Sequence, residues 1–210
     1  MNLTTLRKNY KKAAFSEQDA LPNPFDQFQN WFEDAMHAQL LEPNACQLAT
    51  VNERQEPEIR TVLLKGVNDG FEFFTNYHSQ KGRDIDYNPK VSLLFLWLDI
   101  ERQVRISGTA LKLSDEENDQ YFNSRPLESR LGAIASRQSE VLNNREELVA
   151  RFLELKKLPE SQIVRPKYWG GYSVIPHKFE FWQGREGRLH DRIAYLKNEN
   201  GSWFKQRLNP

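Results

Sequence analysis

The sequence predicts a mainly β protein, a barrel-like sheet with helices packed around it. From Ala45 onward, short runs rich in Val, Leu, Ile and Phe follow one another: CQLATV, EIRTVLLKGV, FEFFTN, VSLLFLWLD and ERQVRISGTALKL. Turn-forming stretches such as NERQEP and NDG separate them, which is the spacing of an antiparallel sheet or barrel. Strand-like YSVIPHKFEFW, RIAYLK and SWFKQRL then return near the C-terminus, after a stretch of helical pattern.

Taken in order, residues 1–22 are polar and basic without an apolar face, and they read as a flexible N-terminal arm that can order over a ligand. Asn23-Pro24 supplies an N-cap and a proline at the first helical position, and Phe25, Phe28, Phe32 and Met36 recur at helical spacing. This predicts an amphipathic helix ending near Pro43. After the first set of strands, Ser114 and Glu117 form a capping-box pattern that opens a helix through Tyr121, with Arg125-Pro126 as its stop. A further helix is expected from Asn144 to Leu158. NENG is the last hairpin turn, and the final strands are expected to complete the sheet begun at Ala45. No internal repeat or long linker interrupts residues 23–210, which read as a single domain.

Composition narrows the chemistry. Lys plus Arg equals Asp plus Glu at 29 each, so no global field gathers nucleic acid or an anionic membrane, and any anion site must be local. Cys46 is the only cysteine, which excludes an intrachain disulfide and fits a reducing compartment. The segment MNLTTLRKNYKKAAF carries charges where a secretory signal needs its apolar core, and no apolar run approaches bilayer length, so a cytoplasmic location is expected.

Several catalytic classes find no support. There is no Walker A loop or dinucleotide fingerprint, and the glycines of QGREGR lack the spacing that brings backbone N–H groups onto a pyrophosphate. The histidines at 37, 78, 177 and 190 form no pair at ligand spacing, so no metal is expected. Cys46 sits in an apolar strand and no Gly-x-Ser-x-Gly elbow occurs. Phosphate, if bound, must be held by side chains. The candidates are Arg60, Lys65, Lys81, Arg125, Arg188 and Arg192, each of which taken alone is more often a solvated surface charge. Arg60 and Lys65 differ by an odd number and would face opposite sides of a regular strand, a conflict that a bulge or two ligands would reconcile. Near the C-terminus, Trp182 can cover a planar heterocycle while Arg188 and His190, alternating on one strand face, reach its polar edge; Phe179 and Phe181 read as core packing. The chemistry is therefore expected to belong to a cofactor.

At this point the residues resemble the pyridoxine/pyridoxamine 5'-phosphate oxidase family, from about Leu6 to Pro210. FEFWQGREGRLHDR looks like the family's C-terminal signature, and RTVLLK, FFTNYHSQKGRDI, NPKVSLLF, ERQVRISGTA, YFNSRPLESRLGA, SRQS and KYWGGY follow in the family's order. The resemblance implies a split β-barrel that forms a homodimer, with flavin mononucleotide (FMN) in clefts between the subunits. It implies FMN contacts from Arg60, Lys65, Gln80, Lys81, Gln103, Gln138, Ser139, Trp182 and Arg192, with Val62, Leu63, Leu64, Phe74 and Thr75 as backbone or wall. By the same resemblance, Lys65, Tyr121, Arg125 and Ser129 meet a substrate phosphate, Arg188 and His190 meet the substrate ring as catalytic residues, and Arg7 to Tyr10 close over it.

What the resemblance implies for activity is oxidation of pyridoxamine 5'-phosphate and pyridoxine 5'-phosphate to pyridoxal 5'-phosphate, with dioxygen as acceptor. Two departures from the family pattern stand out. Gln80 replaces a frequent arginine, removing one cation near the flavin phosphate, and Phe74 replaces a frequent tyrosine.

Overall fold

Asn23 opens the first helix, α1 (Pro24–His37): its side-chain carbonyl accepts the Phe25 N–H at 3.0 Å, and Pro24 sits where no helical N–H is needed. In this computed structural model, which describes residues 3–5 and 9–210, α1 ends at His37, short of the expected Pro43. Gln39 and Glu42 have left-handed backbones, with φ of 54° and 46°, and the chain cannot remain helical through them.

The strands are β1 (Ala45–Val51), β2 (Pro57–Leu63), β3 (Gly66–Val67), β4 (Phe71–Asn76), β5 (Lys90–Trp97), β6 (Arg102–Lys112), β7 (Trp169–Gln183), β8 (Asp191–Lys197) and β9 (Trp203–Arg207). They hydrogen-bond in the order β2-β1-β5-β6-β7-β4-β3, and β8 pairs with β7 and β9, so the last strands do join the sheet begun at Ala45. Alternate residues are buried along β1 (Cys46, Leu48, Thr50) and β5 (Val91, Leu93, Phe95, Trp97), the period-two pattern of a sheet with one face covered.

Four further helices are α2 (Gln80–Tyr87), α3 (Asp115–Ser124), α4 (Leu127–Ala135) and α5 (Arg145–Lys156). The capping box forms as expected: Ser114 Oγ accepts the Glu117 N–H at 3.2 Å, and Glu117 returns a carboxylate to the Ser114 N–H at 2.8 Å. Asn144 caps α5 through the Glu147 N–H. Helices α2 and α4 were not expected. Of its four buried residues, α2 has only one large apolar side chain, Ile85, so it carries no apolar period, and the Ser79 cap on the Gly82 N–H starts it instead. Pro126 does stop α3, but it is also the N-cap of α4.

The chain clusters into two compact units through which β1, β5, β6 and β7 pass. The first comprises Met1–Leu48, Ser92–Gly108 and Pro176–Pro210. Its described residues have an aromatic core in which Phe28 packs on Phe95, and Trp31 on Phe181; Phe179 and Phe181 are fully buried, the packing role expected of them. The segment expected as an arm is fastened here from Tyr10 onward: Asp191 accepts the Phe15 N–H at 3.0 Å, Tyr195 donates to the Leu21 carbonyl at 2.7 Å, and Phe15 and Ala20 are buried. The second unit comprises Ala49–Val91 and Thr109–Ile175, with Phe71, Phe73, Ile85, Phe122, Leu131 and Tyr172 buried in it. Among the described residues, no helix is long and apolar enough to cross a membrane.

Candidate active site

Strand β2 ends at Leu63, and Lys65 lies beyond it, its N–H donating to the Glu72 carbonyl at 2.8 Å. That break removes the parity conflict between Arg60 and Lys65. Lys65 lines a cavity of about 380 Å³ in the second unit, together with Val62, Leu63, Phe74, Thr75, Lys81, Tyr121, Arg125, Gln138 and Trp169. One wall is a set of near-parallel rings: Tyr121 stacks on Phe74 with centroids 3.8 Å apart, and Trp169 lies 5.6 Å from Phe74. Arg125 lies over the Trp169 ring at 4.7 Å, a cation–π contact that fixes the guanidinium plane. Its Nη1 is buried without a hydrogen-bond partner among the described residues. Burial lowers the Arg125 pKa and raises that of Tyr121, each effect opposed by the other group.

Lys81 also lines this cavity. It is 9% exposed, and its ammonium donates to Gln138 Oε1 at 3.0 Å, Thr75 Oγ1 at 3.3 Å and Ser79 Oγ at 3.4 Å. Burial, reinforced by the Arg60 charge and opposed by Asp84, brings its pKa down to about 8. All three acceptors are neutral, so the charge has no directly bonded anion. Arg60 itself is turned to a neighbouring network: Nη1 donates to Thr50 Oγ1 at 2.5 Å and Nη2 reaches Asp84 Oδ2 at 3.5 Å. Gln80 donates to the other Asp84 oxygen at 2.7 Å. The residue that removed a cation thus serves as a hydrogen-bond partner for the buried Asp84.

In the first unit, Trp182, His190 and Tyr10 form an aromatic cluster. The Trp182 and His190 rings are 4.6 Å apart, and Tyr10 stands edge-on to both at 5.7 Å. Arg188 and His190 are not on a strand face as expected. Glu186–Arg188 form a 3-10 turn in which Gly187 and Arg188 have φ of 62° and 63°, and β8 starts only at Asp191. A left-handed pair cannot propagate a strand, and a non-glycine residue held there is strained. His190 Nδ1 accepts the Arg185 N–H at 3.1 Å, leaving the proton of the neutral ring on Nε2. Burial first, and then the Arg188 charge, lowers the His190 pKa, with Asp191 opposing. Arg192 is committed elsewhere in this chain: Nε and Nη2 bind the buried Glu180 at 2.9 and 2.8 Å, and Nη1 the Asn209 carbonyl at 2.8 Å. Glu180 also pairs with Arg105.

Several expected site residues stand off the cavity. Ser129 is exposed in the first turn of α4, and Ser139, also exposed, has a left-handed backbone with φ of 73°. Leu64 is buried but does not line the cavity, and Gln103 is half-buried on β6 in the first unit. Arg7 lies outside the described residues. Conversely, Trp169, Asp84 and Glu180 were missed. Trp169 stood in KYWGGY without an assigned role, and the two acids gave no local signal, because only folding brings arginines to them.

A family model described as pyridoxamine 5'-phosphate oxidase matches residues 32–158, and the pyridoxine 5'-phosphate oxidase C-terminal dimerisation region matches residues 169–210. The chain belongs to the pyridoxamine 5'-phosphate oxidase family. A pyridoxine/pyridoxamine 5'-phosphate oxidase of Bordetella petrii is 51% identical over 211 residues, 100% of each chain. The crystal structure of PhzG from Burkholderia lata, in complex with tetrahydrophenazine-1-carboxylic acid, is 32% identical with a TM-score of 0.87, covering 94% of this chain and 98% of that one. A pyridoxamine 5'-phosphate oxidase-related, FMN-binding protein of Nostoc punctiforme, 18% identical with a TM-score of 0.73 over 87% of this chain and 97% of its own, shares the fold. The protein is thus an oxidoreductase of the family, with its mainly β split-barrel fold.

Proposed function

We propose that the protein oxidises pyridoxamine 5'-phosphate and pyridoxine 5'-phosphate to pyridoxal 5'-phosphate, in vitamin B6 biosynthesis and salvage, as a cytoplasmic homodimer with FMN at the subunit interface. The observation that carries this reading is the Arg125 guanidinium, held on Trp169 with Nη1 buried and without a hydrogen-bond partner among the described residues, in one cavity with Lys65 and Lys81. Cations held ready around an aromatic wall fit a planar ligand that bears a phosphate. The same donors, with the Gln138 amide and Thr75 hydroxyl, fit the phosphate of FMN as well as that of a substrate.

In this reading Lys65, Tyr121, Arg125 and Ser129 hold the substrate phosphate, and Arg60, Lys81, Gln138 and Ser139 serve the flavin. Trp182, Arg192 and Gln103 contribute to the flavin site across the interface. Bound FMN supplies the two-electron acceptor that dioxygen regenerates, giving hydrogen peroxide. The protein's own part is alignment. Arg188 and His190 orient the pyridine ring, with His190 Nε2–H as a donor and Arg188 balancing charge as electrons leave the ring. The amine yields aldehyde and ammonia after hydrolysis; the alcohol yields the aldehyde directly. Likeness to PhzG favours a second reading, oxidation of a carboxylated ring without phosphate, but Lys65 and Arg125, the two cations left for the substrate once Lys81 serves the flavin, suit a dianionic phosphate better than one carboxylate. An aerobic assay with FMN and each phosphorylated precursor, measuring pyridoxal 5'-phosphate and peroxide together, tests the proposal. Failure with both would sink it, and turnover of only a phosphate-free carboxylate would favour the second reading.

A further inference from the structure

Glu101 is a buried acid that the reaction does not use. It follows the 3-10 turn Leu98–Ile100 with a left-handed backbone, φ 59°, and is 3% exposed. Its carbonyl accepts the Gly184 N–H at 2.7 Å and the Gln183 side-chain amide at 3.1 Å, which fastens it to the end of β7. Its carboxylate is satisfied by the N-terminal segment: a single oxygen, Oε2, accepts the successive N–H groups of Lys11 and Lys12 at 2.9 and 3.0 Å. Tyr10, the preceding residue, is the one that stands edge-on to Trp182 and His190.

A second observation converges on the same place. A Cβ on Gly184 would lie 2.8 Å from Tyr10 Cγ, 3.0 Å from Tyr10 Cβ and 3.1 Å from Glu101 Cβ. Gly184 therefore leaves the gap that Tyr10 enters. We propose that Glu101 and Gly184 form the seat that docks Tyr10 against His190 and Trp182, with Glu101 acting as a positioning residue for the substrate end of the site. The carboxylate fixes the backbone by two charge-assisted bonds, and the missing side chain lets the ring approach. The exposed Lys11–Glu186 pair at 3.3 Å adds little, because surface ion pairs are screened.

The inference rests on His190 meeting substrate, so its test begins with a readout that needs no turnover. Amide exchange at Lys11 and Lys12 is measured in the FMN-reconstituted protein and in Glu101→Ala, Glu101→Gln and Gly184→Ala, followed by KM and kcat with pyridoxine 5'-phosphate. Losing a charge-assisted bond corresponds to about tenfold or more, so exchange at both amides is expected to accelerate by roughly 10- to 100-fold in Glu101→Ala. Gly184→Ala, which keeps the carboxylate, is expected to accelerate it as well and stands in should Glu101→Ala not fold. Both are expected to raise KM more than they lower kcat, and Glu101→Gln, which keeps an acceptor, to restore most of the wild-type behaviour. Wild-type exchange in folded Glu101→Ala or Gly184→Ala, or faster exchange without a change in KM, would overturn the proposal. Should no phosphorylated precursor turn over even in the wild type, the proposed function fails while the exchange result still decides whether the seat exists.

Discussion

Lys81 offers a sharp test of the anion site. Its pKa of about 8, against an ordinary 10.5, means that it is roughly 90% charged at pH 7 and roughly 10% charged at pH 9. A phosphate group is already largely dianionic at pH 7, its second pKa being about 6, so between these limits the protein side dominates the change. If the anion binds the charged lysine, FMN affinity should fall by about tenfold, or roughly 1.4 kcal/mol, from pH 7 to pH 9. Flavin fluorescence quenching, titrated at half-unit steps, gives the dissociation constant directly. Lys81→Met should bind FMN more weakly at pH 7, by roughly 1.5–3 kcal/mol, and lose the slope. The same group also sets a stability slope. Because its folded pKa is depressed, the unfolded chain binds more protons between about 8 and 10.5, and stability should rise with pH across that window, by at most about 3 kcal/mol. Flat wild-type affinity from pH 7 to 9, or an equal slope in Lys81→Met, would refute the placement of this lysine at an anion.

Three further outcomes are expected. Arg125→Met should keep the contact with Trp169 but remove the fork, raising KM for the phosphorylated substrate by roughly 10- to 100-fold; an unchanged KM in steady-state assays would remove Arg125 from the phosphate site. Arg188→Ala should impair turnover while leaving most FMN binding intact, which flavin titration and peroxide release read separately. Glu180→Ala strips the buried partner from Arg105 and Arg192, both of which water still reaches, and thermal or urea unfolding should show a loss of about 1.5–3 kcal/mol; a loss below about 0.5 kcal/mol would show that the pair is not structural.

Much of the sheet was legible because burial on one face leaves a period of two in the sequence, as in β1 and β5, and because caps such as Ser114 and Asn144 act within three residues. Helix α2 was not legible. Its buried positions include Lys81 and Asp84, which make sense only beside Gln138, Thr50 and Arg60, residues distant in the chain. Within the C-terminal signature, residues 179–182 are strand as their pattern predicts, but the alternation of Arg188 and His190 does not reflect a strand face, because Gly187 and Arg188 turn the backbone left-handed and lift Arg188 and His190 out of the ladder.

The sequence by itself determined the family, the strand-rich architecture and most of the side chains that line the cavity, since these reside in residue type and local spacing. The tertiary structure decided which cations already have an acidic partner and which do not. Arg60 and Arg192 resemble Arg125 on paper, yet they bind Asp84 and Glu180, while Arg125 lies on Trp169 with a buried donor left over. Whether an opposite charge already reaches a cation sets how much of that cation is left for a ligand, and that depends on contacts between residues far apart in the chain.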